Sequence, residues 1–147
     1  MPTSSTRRKS SVPVRYAVRR RGVPSAASLR KWLAGAGGFK NISIRIVDRA
    51  EARRLNREFR KRDYPTNVLS FSYDDGGGDL VLCHPVVARE AREQDKSLAA
   101  HYAHLVVHGM LHLRGLDHAD RASARRMEGE EIRILRRLGF SDPYAVK

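Results

Sequence analysis

A chain of 147 residues, 41% of them hydrophobic, holds enough apolar material for one folded core and too little for two. No uninterrupted apolar run approaches the ~18 residues of a membrane-crossing helix, and a single cysteine, Cys83, excludes an internal disulfide, so a soluble protein of the reducing cytoplasm is expected. Twenty-nine Lys and Arg against 16 Asp and Glu give a net charge of +13, which draws polyanions, and nucleic acid before a membrane surface, because Arg15 to Arg21 has no amphipathic helical pattern.

Residues 1–11 are polar, Ser-rich and basic, the composition of a disordered tail, and no apolar stretch follows their charges as in a secretory signal. The remainder, 12–147, is expected to be a single domain. "VPVRYAV" (12–18) alternates like a half-buried strand, with Pro13 at its start or on a sheet edge. Ser25 is a helix cap, Leu29, Trp32 and Leu33 share the apolar side of that helix, and Gly35, Gly37 and Gly38 end it. "NISIRIVD" (41–48) is a strand. Asp48 and Glu51 have capping-box spacing, so a helix runs from Arg49 to about Arg60 with Ala52, Leu55 and Phe59 on its buried side.

"NVLSFSY" (67–73) and "DLVLCH" (79–84), joined by "DDGGG", form a hairpin-like pair. A proline-opened helix follows, then a helix from about Ser97 carrying "LAAHYAHLVVHGMLHL". The last helix sets Met127, Ile132, Leu135 and Leu138 at helical spacing and stops at Gly139. The order of elements predicts an α+β domain: a small, mixed and mostly consecutive sheet of about four strands packed by about five helices.

"HGMLHLRGLDH" (108–118) carries the candidate chemistry. His108 and His112 are four apart, so on a helix both imidazoles reach one point; Gly115 can take a left-handed conformation, end the helix and bring His118 back to it. Three imidazoles would leave a tetrahedral zinc one open position, the layout of a catalytic site. His104, one turn before His108, is a partner behind the ligands, a further polar contact or a packed side chain. His101 reads as a surface or interface residue, His84 as structural and Cys83 as buried packing. Asp117 either accepts a proton from a ligand imidazole or caps the following helix.

Zinc peptidases with this histidine spacing carry a catalytic glutamate directly after the first histidine, where this chain has Gly109. Peptide hydrolysis needs that base for the water proton and the leaving amine. Phosphodiester cleavage needs instead a metal and a cation for the extra charge of the transition state. Arg57, Arg60, Lys61 and Arg62 in "NREFRKRDYPTN" supply cations or form a solvated helix end, and the pattern leaves open which of them faces the metal.

"HLVVHGMLHLRGLDH", "FRKRDYPTNVLSF" and "GDLVLC" together resemble the bacterial YbeY family of rRNA maturation factors, single-strand endoribonucleases with one zinc; the likeness runs from about Asn41 to Pro143 and includes the closing "LGFSDPY". The resemblance implies an α+β metalloprotein with one zinc per chain on His108, His112 and His118, and a basic cleft in which Arg60 matters. His108, His112 and Arg60 are thus the expected catalytic residues. It also implies a role in maturation of the 16S rRNA 3′ end and in ribosome quality control on the small subunit, with ribosomal assembly proteins as partners. Asn67 stands where the family often has Asp, and Leu116 where it often has Tyr, which removes a hydroxyl beside the site. Two rival readings remain: a metallopeptidase, which Gly109 disfavours, and a non-catalytic rRNA-binding assembly factor in which zinc is structural.

Overall fold

The computed structural model describes residues 12–37, 41–74, 76–116 and 120–145; the expected disordered tail 1–11 and the site residues Asp117 and His118 lie outside them. The elements are β1 (Val14–Tyr16), α1 (Ala26–Gly35), β2 (Ile42–Val47), α2 (Arg49–Arg60), β3 (Val68–Ser72), β4 (Gly78–Cys83), α3 (His84–Glu93), α4 (Leu98–Leu113) and α5 (Arg121–Arg137). This is the expected α+β fold of four strands and five helices. Among the described residues no helix is long and apolar enough to cross a membrane.

Helix starts follow the capping chemistry. Ser25 accepts from the Ser28 N–H at 3.1 Å, Asp48 from Glu51 at 2.9 Å and Ser97 from Ala100 at 3.0 Å. The cap of α5 is Asp120, which accepts from Ser123 at 2.8 Å, so the capping role weighed for Asp117 belongs to a residue three positions later.

The sheet order is β1-β2-β4-β3, with β1 and β4 parallel to β2, and β3 antiparallel to β4. The order is mostly consecutive, as expected, and departs from sequence order at the centre, where β4 inserts between β2 and β3. The physical reason is burial: β2 and β4 bury most of their residues and take the middle, whereas Pro13-led β1 and serine-bearing β3 bury fewer and take the edges. Ile42, Ile44, Ile46, Leu80 and Leu82 point to one face, covered by α1, α4 and α5 through Leu29, Leu33, Tyr102, Val106, Met127 and Leu135. Leu69, Phe71, Val81 and Cys83 point to the other, where Ala52 and Leu55 of α2 and Val86 of α3 pack.

Two side chains depart from the sequence reading. Phe59, expected in the core, is 52% exposed, because the buried stripe of α2 runs through Ala52 and Asn56. His101, expected at the surface, is buried and hydrogen-bonded to Glu90 at 2.8 Å. On α5, Ile134 and Glu131 are buried while Ile132 is only half-buried.

In the β3–β4 ladder Cys83 N–H donates to the Asn67 carbonyl and Tyr73 N–H to the Gly77 carbonyl. With the register Val68↔Leu82 and Ser70↔Leu80, the backbone groups of Val68, Ser70 and Ser72 therefore face away from β4, along the open edge. Next to that edge α4 approaches the sheet very closely. A Cβ on Gly109 would fall 2.7 Å from Leu80 Cδ2 and 3.1 Å from Ser70 Oγ, and Ser70 Oγ donates to the Gly109 carbonyl at 3.3 Å. Overpacking of this kind costs about 1–3 kcal/mol, against the ~1 kcal/mol that alanine gains over glycine in a helix. Gly109→Ala is accordingly expected to lower the urea midpoint, whereas Gly129→Ala, on a helix position open to solvent, is expected to raise it.

Candidate metal centre and catalytic cleft

Apolar, uncharged residues make α4 the central helix of the core, and its histidines fall on successive turns of one line. Ring centroids are 6.3 Å apart for His104 and His108 and 4.9 Å for His108 and His112, the latter pair at 73°. The helix ends as the sequence requires. Gly115 has φ 95°, its N–H donates to the His112 carbonyl at 2.9 Å, and the Leu116 N–H donates to the Leu111 carbonyl at 3.0 Å, which together make a Schellman motif. The three histidines line a cleft of about 460 Å³ with Arg60, Ser70, Ser72 and Tyr144.

Behind the histidines lies Glu131, fully buried. Burial alone would push its carboxyl up, but hydrogen bonds from His104, His108 and Tyr144 hold it down at about 2. An ionised carboxylate only accepts, so His108, whose Nδ1 is 2.5 Å from Glu131 Oε2, carries its proton on Nδ1 and in its neutral form presents the Nε2 lone pair. That is how a carboxylate prepares a histidine for a metal, and by this test His108 fits a ligand role. His104 Nε2 lies 3.3 Å from Glu131 Oε1 and 3.2 Å from the Tyr144 hydroxyl, which also donates to Glu131. Burial keeps the His104 imidazole below its ordinary range, and burial next to Glu131 pushes the Tyr144 phenol up. Of the readings open for His104, the structure favours a polar partner behind His108.

Arg60, at the end of α2, lines the same cleft. Its guanidinium donates to the Ser70 carbonyl at 2.6 Å across the open edge of β3 and lies 5.1 Å from the centre of the Phe71 ring. Lys61 takes a left-handed conformation, φ 60°, and turns the chain out of the helix, while buried Asn56 donates to the Tyr64 carbonyl at 2.8 Å and holds the return loop. Asn67 donates to Glu90 at 3.0 Å, and the same Glu90 oxygen meets His101. His84 contacts the Tyr102 hydroxyl at 2.7 Å, a structural role as expected, and Cys83 is buried.

The structure thus brings Arg60, His108 and His112 to one cleft. Among the described residues no three His, Cys, Asp or Glu side chains converge as a complete metal set, and the expected third ligand, His118, is outside them. Sequence reasoning missed Glu131 and Tyr144. The signal for the first was a carboxylate on the apolar stripe of α5, one turn from Met127 and from Leu135.

Fold and cleft together define an α+β protein with a cleft lined by histidines of its core helix. The sequence pattern described as Endoribonuclease YbeY matches residues 23–139, and the chain belongs to that family. An Endoribonuclease YbeY of Aromatoleum aromaticum is 55% identical over 126 residues, covering 83% of this chain and 82% of that protein. One from Stenotrophomonas maltophilia is 51% identical over 149 residues, covering 91% and 92%. A Thermotoga maritima protein solved in solution shares the fold at a TM-score of 0.55 and 22% identity, over 92% of this chain and 99% of that one.

Burial acts to raise the Glu90 carboxyl, but hydrogen bonds from His101 and Asn67 outweigh it and leave the group below the usual carboxylate range. A depressed carboxylate stabilises the fold above its unfolded value and loses that contribution as pH falls through the folded one. The stability gap between wild type and Glu90→Gln, read from urea midpoints, should be widest near neutral pH and close on acidification.

Proposed function

We propose that this chain is a zinc-dependent, single-strand-specific endoribonuclease of the cytoplasm. It acts on ribosomal RNA of the small subunit, at the 16S 3′ end and in ribosome quality control, alongside ribosomal assembly proteins. One zinc is held by His108, His112 and His118, and Arg60 is the cation that meets the phosphate. The observation that carries the reading is one cleft in which His108, backed by ionised Glu131, stands with His112 and Arg60. Family membership supplies the reaction class, and the net charge of +13 suits an RNA substrate.

When bound, zinc supplies Lewis acidity toward a phosphodiester. The chain's own residues do the rest. Glu131 fixes the tautomer and orientation of His108. Arg60 brings a guanidinium to the cleft wall, where it offsets the negative charge that builds around a pentacoordinate phosphorus. Ser72 of β3 lines the cleft and adds a neutral hydroxyl, while the Ser70 hydroxyl is spent on the Gly109 carbonyl. Peptide cleavage is disfavoured by packing as well as by composition, because the sheet occupies the space a side chain at position 109 would need.

The test combines metal analysis with cleavage of labelled single-stranded rRNA fragments. His108→Ala should lose both metal and cleavage, whereas Arg60→Ala should keep the metal and cleave ~100-fold or more slowly; full cleavage by both variants would sink the assignment. Glu131→Gln should weaken zinc binding on the order of 10- to 100-fold in chelator competition, and an unchanged affinity would refute the orienting role.

A further inference from the structure

Phe59 has no place in the core. At 52% exposed it stands at the end of α2 among Arg57, Arg60, Lys61 and Arg62. It is not an isolated surface residue. Its ring lies 5.4 Å from that of Phe71 at 70°, an edge-on arrangement, and Phe71 packs on the core beneath α2. The Arg60 guanidinium lies over the Phe71 ring while Arg60 also lines the catalytic cleft, so one side chain joins the aromatic pair to the histidine site. Tyr73, 53% exposed, extends the same sheet face: its hydroxyl reaches Asp79, the residue opposite Phe71 in the ladder.

An exposed aromatic cluster with a guanidinium at its edge, on a strongly basic chain, fits one kind of polyanion particularly well, a strand whose bases have free faces. Every nucleobase presents a π-face to a ring or guanidinium, and the cations meet the phosphates on either side. In a duplex those faces are hidden in the stack, so such a shelf selects unpaired RNA. We infer that Phe59, supported by Phe71 and Arg60, is a stacking platform for an unpaired base next to the scissile phosphate, and that it helps set the preference for single strands. The inference rests on the endoribonuclease reading above and adds a binding element to it.

The probe is a single-stranded oligoribonucleotide with 2-aminopurine stepped along it, whose emission is quenched when the base stacks. With the non-cleaving His108→Ala protein, quenching is expected at one or two adjacent positions and should be relieved in His108→Ala/Phe59→Leu. In the otherwise wild-type enzyme, Phe59→Leu should raise KM for single-stranded RNA about tenfold, with the loss on KM rather than kcat, and narrow the preference over duplex. Phe59→Trp should restore both. The exposure of Phe59 leaves Leu and Trp compatible with folding, which a thermal melt verifies. Unchanged quenching and KM in Phe59→Leu, with the wild type still cleaving, overturn the platform alone and leave the ring to a protein partner. A wild type that neither binds nor cleaves RNA overturns the endoribonuclease reading itself.

Discussion

A carboxylate cut off from water organises the cleft. Burying Glu131 in its ionised form costs several kcal/mol, and only donors aimed at it can offset that cost. They come from His104 and His108 on α4 and from Tyr144 beyond α5. One charge therefore ties two helices and the C-terminal segment together. It also fixes the orientation of the His108 ring, and the cleft wall formed by Tyr144 depends on the same bond network.

The other side of α4 is set by the absence of a side chain. At Gly109 the helix meets the sheet backbone-close, with Leu80 and Ser70 in the space a Cβ would fill. Glu131 acts on one flank of the helix and this contact on another, so the rotation of α4 about its axis is defined twice. The histidine line consequently faces the cleft rather than the core.

Much of this was legible in the sequence because it is local. Alternating isoleucines marked β2, the Ser25, Asp48 and Ser97 caps marked helix starts, and Gly115 marked the end of α4. His108 and His112 were legible for the same reason, since four-residue spacing on a helix is itself a geometry. What escaped notice depends on distant partners. His101 is buried where Glu90, itself held by Asn67, meets it, and Glu131 where α4 does; the partners in each case come from different elements. Phe59 fell on the apolar spacing of α2 but beyond the edge of what the sheet covers. The place of β4 between β2 and β3 was likewise a matter of comparative burial among strands, which a run of residues read singly does not express.

The open edge of β3 runs beside a histidine helix, and a strand edge in that position is where an extended polypeptide would dock as an added strand. Its outward groups are already engaged in part: Val68 N–H takes the Asn67 side-chain oxygen at 2.6 Å and the Ser70 carbonyl takes Arg60. A chain laid along this edge would have to displace a charged guanidinium from the middle acceptor. The side chain proposed to meet a phosphate thus also stands in the way of a strand added at the β3 edge, whether from a peptide or from a second copy of the chain.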